Sequence, residues 1–296
     1  MHADSYLLVG TTHRVCEDYT RSGKVNGKPF NLDNDGIVYA LVSDGCSASP
    51  DTDFGSRFLC LAAEDRVRVF GQAFDPSWCL WKAAEMVGRM LPEQSLDATL
   101  LALIAKEGAP VVAVVVGDGV VAGRRKDGTY EVWNVEYLPV PELAQPGPAP
   151  GYVSYILDPN RLKQYVALGY NKRRVTHYVN GEVVGTEDSA FTIQVPDAGV
   201  GATTYDGLEF ALYLDPENYD FLAVLSDGAV SFQERDERGH LHSVPLLDVL
   251  GQLLAIKGHK GEFVTRRCNR FFGKFCVENR WANFDDLSMA AIWLGD

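Results

Sequence analysis

The chain has 296 residues, enough for one large domain or two small ones, and its 46% hydrophobic and 11% aromatic content supports a full core and excludes general disorder. A formal net charge of −13 argues against a nucleic-acid partner, which would want a basic face, and suits a protein that gathers carboxylates around cations. Six scattered cysteines form no CxxC pair, and Cys268 and Cys276, if helical, lie about 12 Å apart along the axis, too far to bridge. With no charged n-region ahead of a long apolar run, and no apolar run near the roughly 20 residues of a membrane span, the reading is a soluble, intracellular (cytoplasmic) protein with free thiols and no membrane contact.

In chain order, residues 5–10 form a first strand, followed by Thr11-Thr12-His13-Arg14-Val15-Cys16-Glu17-Asp18. Asn31, Asp33, Asp35 and Gly36 imitate the front of a calcium loop. The twelfth position is Val42, however, where a bidentate Glu is required, so the stretch reads as a hairpin turn. The apolar run Ile37–Val42 is a buried strand that stops at Ser43-Asp44-Gly45. A helix then runs from Gly55-Ser56 to Phe70, with Ser56 as N-cap. A second covers 77–91, with Trp78, Trp81, Met86, Val87 and Met90 assigned to the core.

Strands 98–105 and 110–116 follow, the second ending on Gly117-Asp118-Gly119, and a Lys126-Asp127-Gly128 turn joins strands 120–125 and 129–135. The Pro-rich stretch 139–150 is irregular. It is not read as a boundary, because the acid-bearing elements on its two sides need each other. Asn180-Gly181 marks another hairpin and 197–207 a glycine-rich loop. Residues 219–228 repeat the theme of an apolar strand ending on Ser226-Asp227-Gly228. Helices occupy 244–256 and 262–281, the latter with Arg266, Arg267, Arg270, Lys274 and Arg280 on a solvated face opposite Val264, Phe271 and Phe275. Asn283-Phe284-Asp285-Asp286 opens a closing strand. Strand groups separated by helix pairs favour an α/β or α+β sandwich.

Three strands thus end on Asp44, Asp118 and Asp227, and a last one begins at Asp285. If that last strand is antiparallel to the others, all four carboxylates meet at one rim, joined by Glu17 and Asp18. Like charges so close need a compensating cation. All the donors are oxygens, with no His/Cys cluster at ligand spacing, so hard ions follow, Mg²⁺ or Mn²⁺, and two rather than one. Such a pair activates water and clamps a phosphoryl group. GxxxxGK[ST], HExxH and GxSxG are all absent from the sequence.

In this order, Glu17-Asp18, VSDG with Gly55-Ser56, Asp97-Ala98-Thr99, VGDG, LSDG and DDLS resemble the metal-dependent type 2C (PPM) serine/threonine protein phosphatase family from Gly10 to Leu294, and GTTH ahead of CED resembles its bacterial-type branch. The resemblance implies an α+β fold, a four-layer α-β-β-α sandwich of two antiparallel sheets flanked by helix pairs. It implies a single domain over 1–296, with a variable insert or flap around 139–215. It also implies hydrolysis of phosphoserine and phosphothreonine in phosphoproteins, opposing a serine/threonine kinase in signalling, by a hydroxide bridging two Mn²⁺ or Mg²⁺ ions.

By motif, Asp44 bridges the ions, the Gly45 carbonyl holds one, Asp227 and Asp285 complete the other, and Glu17 or Asp18 ligates or holds waters on the first. Asp118 matches the acid of a third, weaker ion. His13 stands where the family has a phosphate-binding Arg, with Arg14 beside it, and either could take the phosphate. Cys46 follows the DG where some members carry a leaving-group acid, while Asp286 and Ser288 replace the usual Asn and Thr. These departures also suit a catalytically weak or inactive phosphatase-like binding module, and a small-molecule phosphohydrolase would use the same metal site.

Overall fold

The computed structural model describes residues 1–25, 36–88, 90–139, 150–194 and 204–295. The turn expected over Asn31, Asp33 and Asp35, the Pro-rich stretch 140–149 and the start of the glycine-rich loop, 197–203, lie outside the described residues.

Two antiparallel sheets carry the molecule. The seven-stranded sheet has the order His2–Leu8, Leu287–Trp293, Tyr219–Leu225, Gly119–Arg125, Tyr130–Tyr137, Lys172–Val179, Glu182–Ala190. The five-stranded sheet has the order Glu209–Leu214, Val111–Val116, Leu100–Ala105, Val38–Ser43, Tyr19–Lys24. Strand Val38–Ser43 shows why the apolar runs are unbroken. Val38, Ala40 and Val42 face the other sheet beside Leu101, Leu103, Val224, Ala290 and Ile292, while Tyr39 and Leu41 point to the outer helices. Both faces are buried, so strict period-two alternation disappears from the sequence.

Helices α1 (Thr52–Phe70) and α2 (Pro76–Val87) cover the five-stranded sheet through Leu59, Ala63, Val67, Leu80 and Ala83. The turn Val153–Ile156 and helix α3 (Pro159–Ala167) pack into the same layer. On the other side α4 (Leu246–Leu253) and α5 (Phe263–Arg270) pack on the seven-stranded sheet with Phe221, Leu225 and Met289. This is the expected four-layer α-β-β-α sandwich. Among the described residues no helix is long and apolar enough to cross a membrane, and all six cysteines are free.

Three expectations need correction. Helix α1 starts at Thr52, behind Asp51 at φ 56° with no side-chain cap, and Ser56 is not the N-cap. The Ser56 hydroxyl instead donates to the Glu17 carbonyl (2.5 Å), tying the helix to the loop after the first strand. On α2 the periodicity correctly marks a helix, but it stops at Val87 rather than running to 91, so Met90 lies past its end and is 90% exposed, and Trp81 and Met86 on the helix are exposed as well. The layer ends at α2, so only its Cys79, Leu80, Ala83 and Val87 face is covered. Residues 262–281 do not form one regular helix: after Arg270 the chain widens into a π-turn, Phe271–Cys276, which seats Phe271 in the core. The basic face there is solvent-exposed at Arg266, Arg270, Lys274 and Arg280, and Arg267 is half-buried, donating to the Gln252 carbonyl.

Candidate metal centre

The sheet register brings the acids together. Leu287–Trp293 pairs antiparallel with Tyr219–Leu225, so Asp285, before the first strand, sits at the end where Asp227 follows the second. Asp44 is fixed by Thr99: its N–H donates to Thr99 Oγ1 (3.0 Å), and its carbonyl accepts the Thr99 N–H (2.8 Å). Asp118 occupies the two-residue link between strands of different sheets, with Gly117 at φ 90° and Gly119 at φ 134°, backbone that side chains resist. Gly228 is required for a different reason. A Cβ there would lie 1.8 Å from the Asp286 carbonyl oxygen, so only glycine lets the Asp227 turn close on the Asp285-Asp286 segment.

Asp44, Gly45, Asp118, Asp227 and Asp285 line one cavity of about 120 Å³ together with Cys46, Ser47, Thr99, Pro150 and Tyr152. No Lys or Arg lines it among the described residues. Asp18 lies beneath, buried, accepting from the Ser226 hydroxyl (2.8 Å) on Oδ2 while Oδ1 has no partner. Burial pushes the Asp18 carboxyl up to about 7, against the pull of neighbouring hydroxyls and Asp44. Burial also raises Asp44, reinforced by Asp18 and Asp227. Asp118 and Asp285 rise by burial and then by repulsion from Asp227.

Such a cluster, without cations, retains protons that its residues would lose in water. A divalent ion among these oxygens would remove the penalty, and an all-oxygen set suits Mg²⁺ or Mn²⁺. The orphaned, buried Asp18 Oδ1 fits the same account. The residues present therefore fit hard divalent ions.

Glu17, His13 and Arg14 do not line the cavity. Arg14 is exposed. His13 sits against carboxylates, Nε2 being 3.4 Å from Asp285 Oδ1 and Nδ1 3.2 Å from Asp286 Oδ1 and 3.9 Å from Glu17 Oε2. Asp286 accepts the N–H groups of Gly10 (2.7 Å) and Glu17 (2.6 Å). The sequence shows no His/Cys cluster at ligand spacing; the fold makes a His-containing one from residues 13, 17 and 286.

Sequence reasoning also missed the contact that holds the segment from Ser154 to Arg161 against the cavity loop. Asp97, fully buried, receives Arg161 Nη1 on Oδ1 (2.7 Å) and Nη2 on Oδ2 (2.6 Å), with the Ser154 and Ser49 hydroxyls at 2.6 and 2.7 Å. The Asp97 carbonyl accepts the Cys46 N–H (2.8 Å). One residue thus joins α3, the 153–156 turn and the cavity loop, and it places Tyr152 in the cavity wall. The Asp158 cap and the Pro159 that follows it are local signals for that helix.

Residues 11–136 match the family model described as Protein phosphatase 2C, so over that stretch the resemblance carried by the motifs is shown. No curated protein matches the sequence. Among solved structures, a bacterial serine phosphatase is similar at 13% identity and TM-score 0.52, the match covering 100% of this chain and 98% of that one. A serine/threonine phosphatase from Staphylococcus aureus is similar at 12% identity and TM-score 0.51, covering 100% and 96%. These likenesses show the fold, an α+β sandwich.

Proposed function

We propose that the protein is a metal-dependent phosphatase, hydrolysing phosphoserine and phosphothreonine in phosphoproteins and opposing a serine/threonine kinase. The observation that carries this reading is the convergence of Asp44, Asp118, Asp227 and Asp285 on one cavity with no Lys or Arg in its described lining. Asp44, the Gly45 carbonyl, Asp227 and Asp285 would hold two Mn²⁺ or Mg²⁺ ions, with Asp118 toward a third, weaker one. When bound, such ions supply Lewis-acid polarisation of phosphoryl oxygens and lower the pKa of water.

The chain's own residues prepare that site. Thr99 fixes the Asp44 backbone on both its N–H and its carbonyl. Ser226 donates to Asp18 Oδ2, orienting the buried carboxylate so that Oδ1 is left to accept from a water or hold an ion. Tyr152 and Pro150 narrow the cavity from the insert side and restrict bulk water. We read residues 1–296 as a single phosphatase domain, with 139–215 as the variable insert. Free thiols at all six cysteines suit a reducing compartment such as the cytoplasm.

One observation favours a weak enzyme or a binding module. His13, at the position proposed for phosphate, faces Glu17, Asp285 and Asp286, and three carboxylates repel the anion it would need to bind. Either way the cavity acids bind ions, and turnover separates the readings. Hydrolysis of a phosphothreonine peptide faster than p-nitrophenyl phosphate, dependent on Mg²⁺ or Mn²⁺ and abolished by EDTA, supports the protein phosphatase. Preference for the small ester supports a small-molecule phosphohydrolase, and ions bound without turnover support the binding module.

A further inference from the structure

Beside the cavity, and outside its lining, lies a second donor set of different chemistry. His13 Nδ1, a Glu17 carboxylate oxygen and an Asp286 carboxylate oxygen all lie within 4.8 Å of one another. Nδ1 stands 3.2 Å from Asp286 Oδ1 and 3.9 Å from Glu17 Oε2. A tetrahedral zinc ion with bonds of about 2.0–2.2 Å separates its ligand atoms by about 3.3–3.6 Å. The two Nδ1 separations therefore lie within about half an ångström of that spacing, and the two carboxylate oxygens lie within 4.8 Å of each other.

Three further observations point to a ligand. His13 Nδ1 and Glu17 Oε2 are buried and have no hydrogen-bond partner, so the close approach of Nδ1 to Asp286 lacks the alignment of a hydrogen bond. Asp286 is 2% exposed and is clamped by the Gly10 and Glu17 N–H groups, one on each oxygen, so its position is built rather than adopted by a solvated side chain. The opposite ring nitrogen of His13, Nε2, lies 3.4 Å from Asp285 Oδ1. Asp285 thus stands at the far nitrogen, where a metal-ligating imidazole ordinarily has its outer partner.

We infer that His13, Glu17 and Asp286 form a transition-ion site, separate from the carboxylate cavity, that takes Zn²⁺ in preference to Mg²⁺. An imidazole among the donors suits a borderline ion, whereas Mg²⁺ favours oxygen and keeps most of its water. Three protein ligands leave a fourth position for water. The two sites are joined through Asp285, which touches the imidazole on one side and lines the cavity on the other. Zn²⁺ at His13 thereby fixes the carboxylate that faces the cavity ions. The inference rests on these donor positions and holds whether or not the cavity hydrolyses phosphoesters.

The test uses the full chain, stripped with chelator, loaded with Zn²⁺ and dialysed against excess Mg²⁺ so that the cavity acids are occupied by the harder ion. The expected result is one Zn²⁺ retained per chain, with imidazole scattering in its X-ray absorption spectrum. His13→Ala, checked for an unchanged melting profile, weakens Zn²⁺ binding at least about tenfold, and Asp227→Asn retains the equivalent. Zinc retention equal in His13→Ala and the parent overturns the proposal. So does loss of the retained ion in Asp227→Asn, which would assign it to the cavity. If His13→Ala does not fold, absence of imidazole scattering in the parent protein overturns it equally. Failure of phosphatase turnover changes none of these readouts.

Discussion

Replacing Arg161 by Ala isolates the contact that ties α3 to the cavity loop. The perturbation removes two charge-assisted hydrogen bonds from a carboxylate with no solvent exposure. Breaking a buried pair by deleting one partner costs roughly 3–5 kcal/mol. Two features reduce that figure here. The Arg161 side chain is itself 31% exposed, so water already reaches part of the pair, and the Ser49 and Ser154 hydroxyls continue to donate to Asp97. The expectation is a loss of about 2–3 kcal/mol. Stacking of the guanidinium 4.3 Å over the Tyr155 ring adds a smaller share to the same deletion. Urea unfolding of the parent, Arg161→Ala, Asp97→Asn and the double variant reads it directly. The double variant is expected to be less destabilised than the sum of the singles by more than about 1 kcal/mol, since neutral Asn no longer needs the cation. An Arg161→Ala protein within about 0.5 kcal/mol of the parent would refute the claim that this pair anchors α3.

Three other outcomes follow from the same geometry. In chelator-stripped protein the folded state holds the Asp18 proton up to about pH 7, whereas an ordinary carboxyl loses it near 3.8. Stability is therefore full at low pH and is lost as pH rises between those two values, so melting temperature should fall from about pH 4 to about pH 7 and level off above that. Saturating Mg²⁺ should remove the slope, and a stripped protein that gains stability over that range contradicts the description of the acids. Gly228→Ala places a methyl against the Asp286 carbonyl, and it should cost at least about 2 kcal/mol in urea unfolding and weaken ion binding measured by calorimetry. Trp81→Ser, by contrast, should change stability by less than about 0.5 kcal/mol because the ring is exposed; a larger loss would mean that another surface covers α2.

The cavity was legible because each of its acids has a local signature. An apolar strand that stops on Asp beside Gly announces both where the strand ends and where backbone must pass closely, and Asp44, Asp118 and Asp227 all carry it. Placing Asp285 with them needed only the direction of the last strand. The His13–Glu17–Asp286 set has no such signature, since its members lie at opposite ends of the chain and meet only because the first and last strands are neighbours. The same holds for Asp97 and Arg161, separated by 64 positions. Trp81 and Met86 were misplaced for another reason. Helical spacing identifies an apolar stripe but not whether a further layer exists to cover it, and α2 is the outermost layer. Ser56 looked like a cap because serine competes for backbone partners; here the partner is the Glu17 carbonyl of another segment.

The central claim is that the carboxylates around Asp44 form a divalent-ion site that turns over phosphoesters. One preparation decides it: calorimetric titration of stripped protein with Mn²⁺, followed by the rate on a phosphothreonine peptide in the same sample, for the parent and Asp227→Asn. The account predicts two ions bound and turnover that appears with them in the parent, and loss of both in Asp227→Asn. Peptide hydrolysis that survives chelation, or that persists in Asp227→Asn at the parent rate, would contradict it.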